Sequence, residues 1–294
     1  MPVTRIGVGI AFMLTAVTLF PVMNGLVKLL SGSYDAVQIV WARTVAHLVF
    51  VLVLFMPRYS IGILRTRQPG TQFKRSVLLM VSTLCFFAGV KFVPLAEAAS
   101  ISLVAPLLVT MLAVPMLGER ITIGRMLAVV SGFAGVIIVI RPGSDAFHWA
   151  SLLIAVNALF YGLYQIYTRM AASTDSPETS VVYSALVGSV LTSLAVPFFW
   201  TTPTHLFDVV ILASVGVIGG LGHYFVARAM SNGPANIISP FHYFQLIGSV
   251  IVGYLLFGDL PTAYTWIGAA IIVGSGLYLG WSESRRNLGS RPNS

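Results

Sequence analysis

Ten apolar runs, each long enough to cross a bilayer as a helix, take up most of the chain. A spanning helix needs about 20 apolar residues, because the hydrocarbon core is about 30 Å thick and each residue rises about 1.5 Å. The runs lie at 6–28, 36–56, 75–93, 97–117, 122–140, 149–169, 179–199, 207–229, 235–257 and 262–281. A β-barrel would need short segments of strict alternation. Runs such as Leu48-Val49-Phe50-Val51-Leu52-Val53-Leu54-Phe55 do not alternate. Charge composition decides the rest. Only 9% of the 294 residues are charged, against about 25% in soluble domains. So little polar surface cannot face water all round. The expected fold is therefore all-α, a polytopic membrane protein of ten transmembrane helices.

The connections are short and rich in Gly and Pro, as at Arg141-Pro142-Gly143-Ser144-Asp145, Ser231-Asn232-Gly233-Pro234 and Gly258-Asp259-Leu260-Pro261. These residues bend the backbone where a helix cannot continue. The longest, Pro57 to Lys74, has eighteen residues and houses no soluble domain. The first run extends over twenty residues after Arg5, so it reads as a retained span rather than a cleaved signal. The lone Cys85 lies in an apolar run and is read as a packing residue.

The net charge of +8 suggests topology control rather than nucleic-acid binding. Thirteen Lys and Arg fall on the side of the N terminus: Arg5, Arg58, Arg65, Arg67, Lys74, Arg75, Arg120, Arg125, Arg169, Arg228, Arg285, Arg286 and Arg291. Three, Lys28, Lys91 and Arg141, fall on the other. This bias predicts both termini in the cytoplasm of a bacterial inner membrane.

A shift of 140 residues aligns the two halves without a gap. Leu19-Phe20 meets Leu159-Phe160, Pro94 meets Pro234, Gly118-Glu119 meets Gly258-Asp259, and Thr122 meets Thr262. Residues 1–143 and 144–284 are thus expected to be two five-helix repeats, with 285–294 a cytoplasmic tail. Five is odd, so the second repeat enters the membrane from the opposite face. Inverted repeats recur in secondary transporters, where the halves exchange roles between inward-open and outward-open states.

Pro94-Leu95-Ala96-Glu97-Ala98-Ala99-Ser100, Val104-Ala105-Pro106-Leu107, Leu117-Gly118-Glu119-Arg120, Gly132-Phe133-Ala134-Gly135-Val136 and Arg141-Pro142-Gly143 carry a family signature. They resemble EamA-type members of the drug/metabolite transporter superfamily. The second half departs from the pattern. Gly258-Asp259 stands for Gly-Glu, and Gln245-Leu246 stands where the first half has Ala105-Pro106. The resemblance implies a ten-helix carrier with a central cavity and alternating access, serving amino-acid-like, vitamin-like or nucleoside-like metabolites. It names no single ligand.

Charged side chains in lipid cost at least about 2.5–3.5 kcal/mol each on insertion scales, so those present need a partner or a wet cavity. Asn24 and Lys28 share a face of the first span, and Arg43 and His47 share one on the second, near Trp41. Lys28 either snorkels to the interface or attracts a substrate carboxylate. Arg43 is either a structural ion pair or carbonyl cap between helices, or such an anchor. Glu97 opens the fourth span, where a carboxylate complements the helix end. Its sharper role is to hold a substrate amine, pair with Arg43 or titrate in proton coupling. Asn157, Tyr161, Tyr164, Gln165 and Thr168 make one polar stripe on the sixth span. The stripe either lines the cavity or bonds helix to helix. His223 on the eighth span, and His242 and Gln245 after Pro240 on the ninth, complete the candidates.

No His/Cys/carboxylate spacing fits a metal, and no cofactor is expected. Glycines such as Gly216 to Gly222 read as helix-packing positions, not phosphate loops. The expected partners are a small-molecule substrate and the lipid bilayer, with protons a possible coupling ion. Nucleic acid is excluded, and the chain works as a monomer or homodimer. The alternatives are an intramembrane enzyme, for which no His-Glu-x-x-His or activated serine is present, and a channel or structural subunit, to which a twofold repeat is ill suited.

Overall fold

The structure, a computed structural model, describes residues 3–118, 121–172, 174–232 and 238–289. Its elements are helical throughout. The first half comprises α1 (Val3–Leu30), α2 (Ala36–Tyr59), a 3₁₀ turn (Ser60–Leu64), α3 (Pro69–Val90), α4 (Leu95–Ser102), α5 (Ala105–Leu117) and α6 (Ile123–Ile140). The second comprises α7 (Ala150–Ala171), α8 (Pro177–Ala195), a 3₁₀ turn (Val196–Phe198), α9 (Leu206–Asn232), a 3₁₀ segment (Ser239–Phe244), α10 (Gln245–Phe257) and α11 (Ala263–Gly289). Among the described residues nine helical stretches are long and apolar enough to cross a membrane, with Phe241–Phe257 as a shorter tenth. The chain is a polytopic membrane protein.

Two spans are broken, and their breaks correspond. The fourth pauses at Leu103 and Val104 before α5. Pro106 stands in the first turn of α5, where its missing N–H costs nothing, whereas inside a continuous helix it would clash with the preceding turn. The ninth winds as tight 3₁₀ helix from Ser239 to Phe244, with Pro240 at its start. α10 then runs from Gln245 to Phe257, 140 residues beyond the bounds of α5. Both end on a left-handed glycine, Gly118 at φ 69° and Gly258 at φ 69°. Only glycine adopts that turn without strain. The next helix in each half starts at a threonine whose hydroxyl accepts a first-turn N–H, Thr122 from Arg125 and Thr262 from Thr265. Glu119, Arg120, Gly233, Pro234 and the start of the expected ninth span at 235 lie outside the described residues.

The loop expected from Pro57 to Lys74 is much shorter than predicted. α2 continues to Tyr59, and α3 begins at Pro69 rather than at 75. A proline in the first turn starts a helix rather than stopping it. Two basic residues assigned to loops are thereby helical and buried: Arg75 is 1% exposed and Arg125 7%.

The halves interleave rather than sit side by side. α3 packs on α7, α1 on α9, α2 on α8 and α9, and α6 on α11. Exchanging the halves maps α1 onto α7 and α3 onto α9, so the pairs α1–α9 and α3–α7 are counterparts. The α6–α11 contact depends on glycine. A methyl built on Gly135 would lie 2.8 Å from the Gly268 carbonyl oxygen and 2.9 Å from Ile272 Cγ1.

Two polar seams tie the halves together. In one, Lys28 in the last turn of α1 donates to Asp259 Oδ2 at 2.9 Å, just beyond α10, and to the Val93 carbonyl at 2.9 Å. In the other, Arg75 of α3 donates from Nε to Thr168 Oγ1 (3.1 Å), from Nη2 to the Tyr164 hydroxyl (3.2 Å), and from Nη1 to the Ser180 carbonyl (2.5 Å). Nη1 also reaches Gln72 Oε1 of its own helix at 3.0 Å. Beside it Asp175 accepts from Gln72 Nε2 (2.8 Å), from the Arg67 N–H (3.2 Å) and from the Thr66 hydroxyl. Arg75 lies in the second turn of α3 and Val93 three residues beyond its last, eighteen residues on, so about 25 Å separates the seams.

Gly135→Ala will lower the thermal midpoint of detergent-purified protein, at a cost of about 1–3 kcal/mol from overpacking. Gly274→Ala on α11, where a methyl meets nothing within 4 Å, will be neutral or slightly stabilising. A second expectation concerns Asp175. Partial burial would raise its pKa, but the hydrogen bonds from Gln72, Thr66, Arg67 and Thr174 win and hold it below the ordinary 3.8. A depressed carboxylate stabilises the fold fully above its unfolded pKa and loses that contribution as pH falls through the folded value. The wild-type midpoint will therefore fall more between pH 6 and pH 3 than that of Asp175→Asn, measured by thermal unfolding in detergent.

Candidate functional site

Between the seams lies a cluster built on α2. Arg43 and His47 are one turn apart and are 5% and 4% exposed. They press against a run of glycines on α9. A methyl on Gly219 would lie 3.3 Å from Arg43 Nε, and one on Gly220 would lie 2.8 Å from His47 Cδ2. Those glycines therefore do the packing work expected of them, and they admit two large polar side chains.

Arg43 Nη2 lies 3.1 Å from His223 Nε2. A guanidinium only donates, so His223 accepts, and its ring is neutral with the proton on Nδ1. The His47 and His223 rings stack at 6.3 Å, 13° from parallel. Aromatic groups enclose the cluster. Phe20 meets His223 edge-on at 5.3 Å, and the Phe87 ring centre lies 6.0 Å from the Arg43 guanidinium. Two buried nitrogens, Arg43 Nε and His47 Nε2, have no hydrogen-bond partner. Among the described residues Arg43 makes no ion pair.

The polar stripe of α7 serves several masters. Asn157 donates to the Ser82 carbonyl (3.0 Å) and Ser82 Oγ (2.7 Å), and accepts from Ser102 Oγ at 3.2 Å. Its amide is thus used in joining α7 to α3 and α4. Tyr164 and Thr168 hold Arg75, whose guanidinium also lies over the Tyr164 ring at 5.0 Å. Tyr161 meets Tyr164 with ring centres 5.5 Å apart and planes tilted by 32°, and both act electrostatically on Arg43, so the stripe reaches the cluster through this pair. Gln165 is half-buried on the same helix.

Asn24 is buried on α1, one turn before Lys28. Trp41 stands apart from Arg43, donating to Ser193 Oγ at 2.9 Å and meeting Trp200 edge-on at 5.5 Å. Glu97 is buried in the first turn of α4 and accepts from Ser151 Oγ at 2.8 Å. Arg141, His148 and Lys28 act on it electrostatically, so it belongs to the Lys28 end and not to Arg43. His242 is half-buried in the 3₁₀ segment. Gln245 is half-buried at the start of α10.

Arg75 escaped sequence reasoning because it follows Lys74 at the expected end of a loop, where basic residues are ordinary. The signal that could have found it is the pairing of Gln72 with Arg75 on one helix face just after Pro69. A shallow open groove of about 350 Å³ also runs between α6 and α11, past Leu127 and Tyr278. Those two side chains are 61% and 42% exposed, which puts the groove on the lipid-facing side and away from Arg43.

The sequence is similar to those of known carriers. A riboflavin transporter of Vibrio cholerae serotype O1 is 29% identical over 96% of this chain and 96% of its own. An S-adenosylmethionine uptake transporter of Rickettsia bellii is 29% identical over 80% of each chain. These relatives are named as transporters and not as enzymes. A solved crystal structure superposes with a TM-score of 0.68 at 18% identity, covering 96% of this chain and 99% of that one, which shows the fold. The profile of the EamA-like transporter family matches twice, at residues 7–141 and 148–280. The chain therefore belongs to the EamA-like transporter family and is a multi-pass membrane transporter of small metabolites.

Proposed function

We propose that the protein is a secondary transporter of the bacterial inner membrane, with both termini in the cytoplasm, carrying a vitamin-like or nucleoside-like aromatic metabolite by alternating access. The observation that carries this reading is the pair of seams. Each crosses between the halves, they close opposite ends of the bundle, and the Arg43 cluster lies between them. Residues 1–143 and 144–284, five spans each, then act as inverted halves that open one seam while the other stays shut. Riboflavin and S-adenosylmethionine are the first solutes to test, because the relatives are named for them.

Lys28 and Asp259 serve as the outer latch. Glu97, buried beside Arg141, His148 and Lys28, is assigned the proton of a coupled cycle. Coupling requires a group that protonates at one face and releases at the other, and a carboxylate next to a latch is placed to do so.

Purified protein in liposomes will show saturable counterflow of riboflavin or S-adenosylmethionine, which a channel cannot produce. Lys28→Asp and Asp259→Lys will each reduce the flux tenfold or more, and the double exchange will restore much of it. No rescue by the exchange would remove the latch from the cycle. Glu97→Gln will abolish uptake driven by a proton gradient yet leave counterflow in place; equal loss of both would count against proton coupling at this residue.

A further inference from the structure

We infer that the Arg43 cluster recognises an oxyanion, so that the transported metabolite pairs a planar ring with a carboxylate or a phosphate. The inference rests on the transporter reading and sharpens its substrate class.

Arg43 is buried in a membrane-spanning helix with no ion pair among the described residues. Buried charges are normally neutralised inside the chain. Here the acidic side chains with described contacts are engaged elsewhere. Asp259 holds Lys28, Asp175 accepts from Gln72 and Arg67, Glu97 accepts from Ser151, and Asp208 accepts from Tyr34. His223 accepts one guanidinium hydrogen but offers no negative charge.

The second observation is independent of the first. Arg43 Nε and His47 Nε2 are buried and unpartnered, and both face the same glycine pair. Hypothetical methyls on Gly219 and Gly220 would stand 3.3 Å from Arg43 Nε and 3.4 Å from His47 Nε2. The same methyls would also meet Met23 Sδ at 3.1 Å and Phe50 Cδ1 at 3.0 Å, so the glycines seat both side chains closely and bring the two unpartnered nitrogens against one stretch of α9. Arg43 Nε–H only donates, and His47 donates from Nε2 in the matching tautomer. Two N–H donors side by side, one of them on a cation, suit two oxygens of one anion. The rings of Phe20, Phe87 and Tyr161 around the cluster supply apolar faces for a flat group. A neutral or cationic metabolite would leave the charge of Arg43 uncompensated.

Two pairs of probes separate charge from shape. Riboflavin and flavin mononucleotide differ by a phosphate ester; indole-3-acetamide and indole-3-acetate differ by the carboxylate. Binding to the full-length protein in detergent is read from ligand-dependent shifts in thermal midpoint across a titration. The anionic member of at least one pair will bind tenfold or more tightly than its neutral counterpart, and the pair that responds says which oxyanion is read. Arg43→Gln will erase that preference while changing the affinity for the neutral member less than threefold. Gly219→Ala keeps the charge but crowds Nε, and it will weaken the anion by a similar factor. This variant decides the matter if Arg43→Gln does not fold. Equal response within both pairs, including no response from either, overturns the assignment, as does a preference that survives both variants. Saturable counterflow without any anion preference would leave the transporter reading intact and remove only this inference.

Discussion

Hydrocarbon offers no hydrogen bonds, so each polar atom held inside the bundle must be answered from within the chain. That constraint organises the molecule. Where the chain must break a helix, it does so beside Pro106 and Pro240 with short tight turns, and the helices that follow close on left-handed glycines. Where it places a charge, it surrounds it, as the Arg75 guanidinium is surrounded by a threonine, a tyrosine, a glutamine and a backbone carbonyl. Arg43 and His47 break the rule, each with one nitrogen left over. Arg141 Nε and Ser189 Oγ are also buried without a partner, but among the described residues Arg43 and His47 are the two whose unpartnered nitrogens meet neighbouring glycines of α9.

The same constraint explains the interleaving. With lipid on the outside and little hydrophobic force between helices, association depends on close packing and interhelical bonds. Gly135 and Gly268 allow backbone contact between α6 and α11, one helix from each half. The halves are therefore held by their faces and latched at their ends. The proposed cycle asks the halves to rock about these packed faces while the polar seams break and re-form.

Much of the fold was legible in the sequence. Hydropathy set the ten spans because span length is fixed by the bilayer and not by tertiary detail. The correspondence of Gly118 with Gly258 and of Thr122 with Thr262 was legible because these residues have local jobs, a left-handed cap and a helix start, that require particular residues. What hydropathy misread was the stretch before the third span. Charge and proline read as loop there, yet Pro69 starts a helix and Arg75 is buried within it. The partners that make Arg75 tolerable, Tyr164, Thr168 and Ser180, lie about a hundred residues away, and no local pattern reveals them. The α7 stripe was visible as a stripe, but its division between helix joining at Asn157 and the approach to Arg43 at Tyr161 depends on which helix faces each turn. Lys28 likewise declared itself as anomalous in lipid, while its partner Asp259 lay in a distant loop.

The most direct test of a bundle that opens alternately at its two ends is a pair of distances measured together. Spin labels at Ser33 and Leu260 report the Lys28–Asp259 end, and labels at Arg67 and Thr174 report the Arg75–Asp175 end, in protein with Cys85 replaced by serine. Pulsed electron paramagnetic resonance in lipid nanodiscs, over a range of substrate concentrations, should give two populations in which one pair lengthens as the other shortens. Both pairs lengthening together, or neither moving while flux proceeds, would contradict alternating access between the halves.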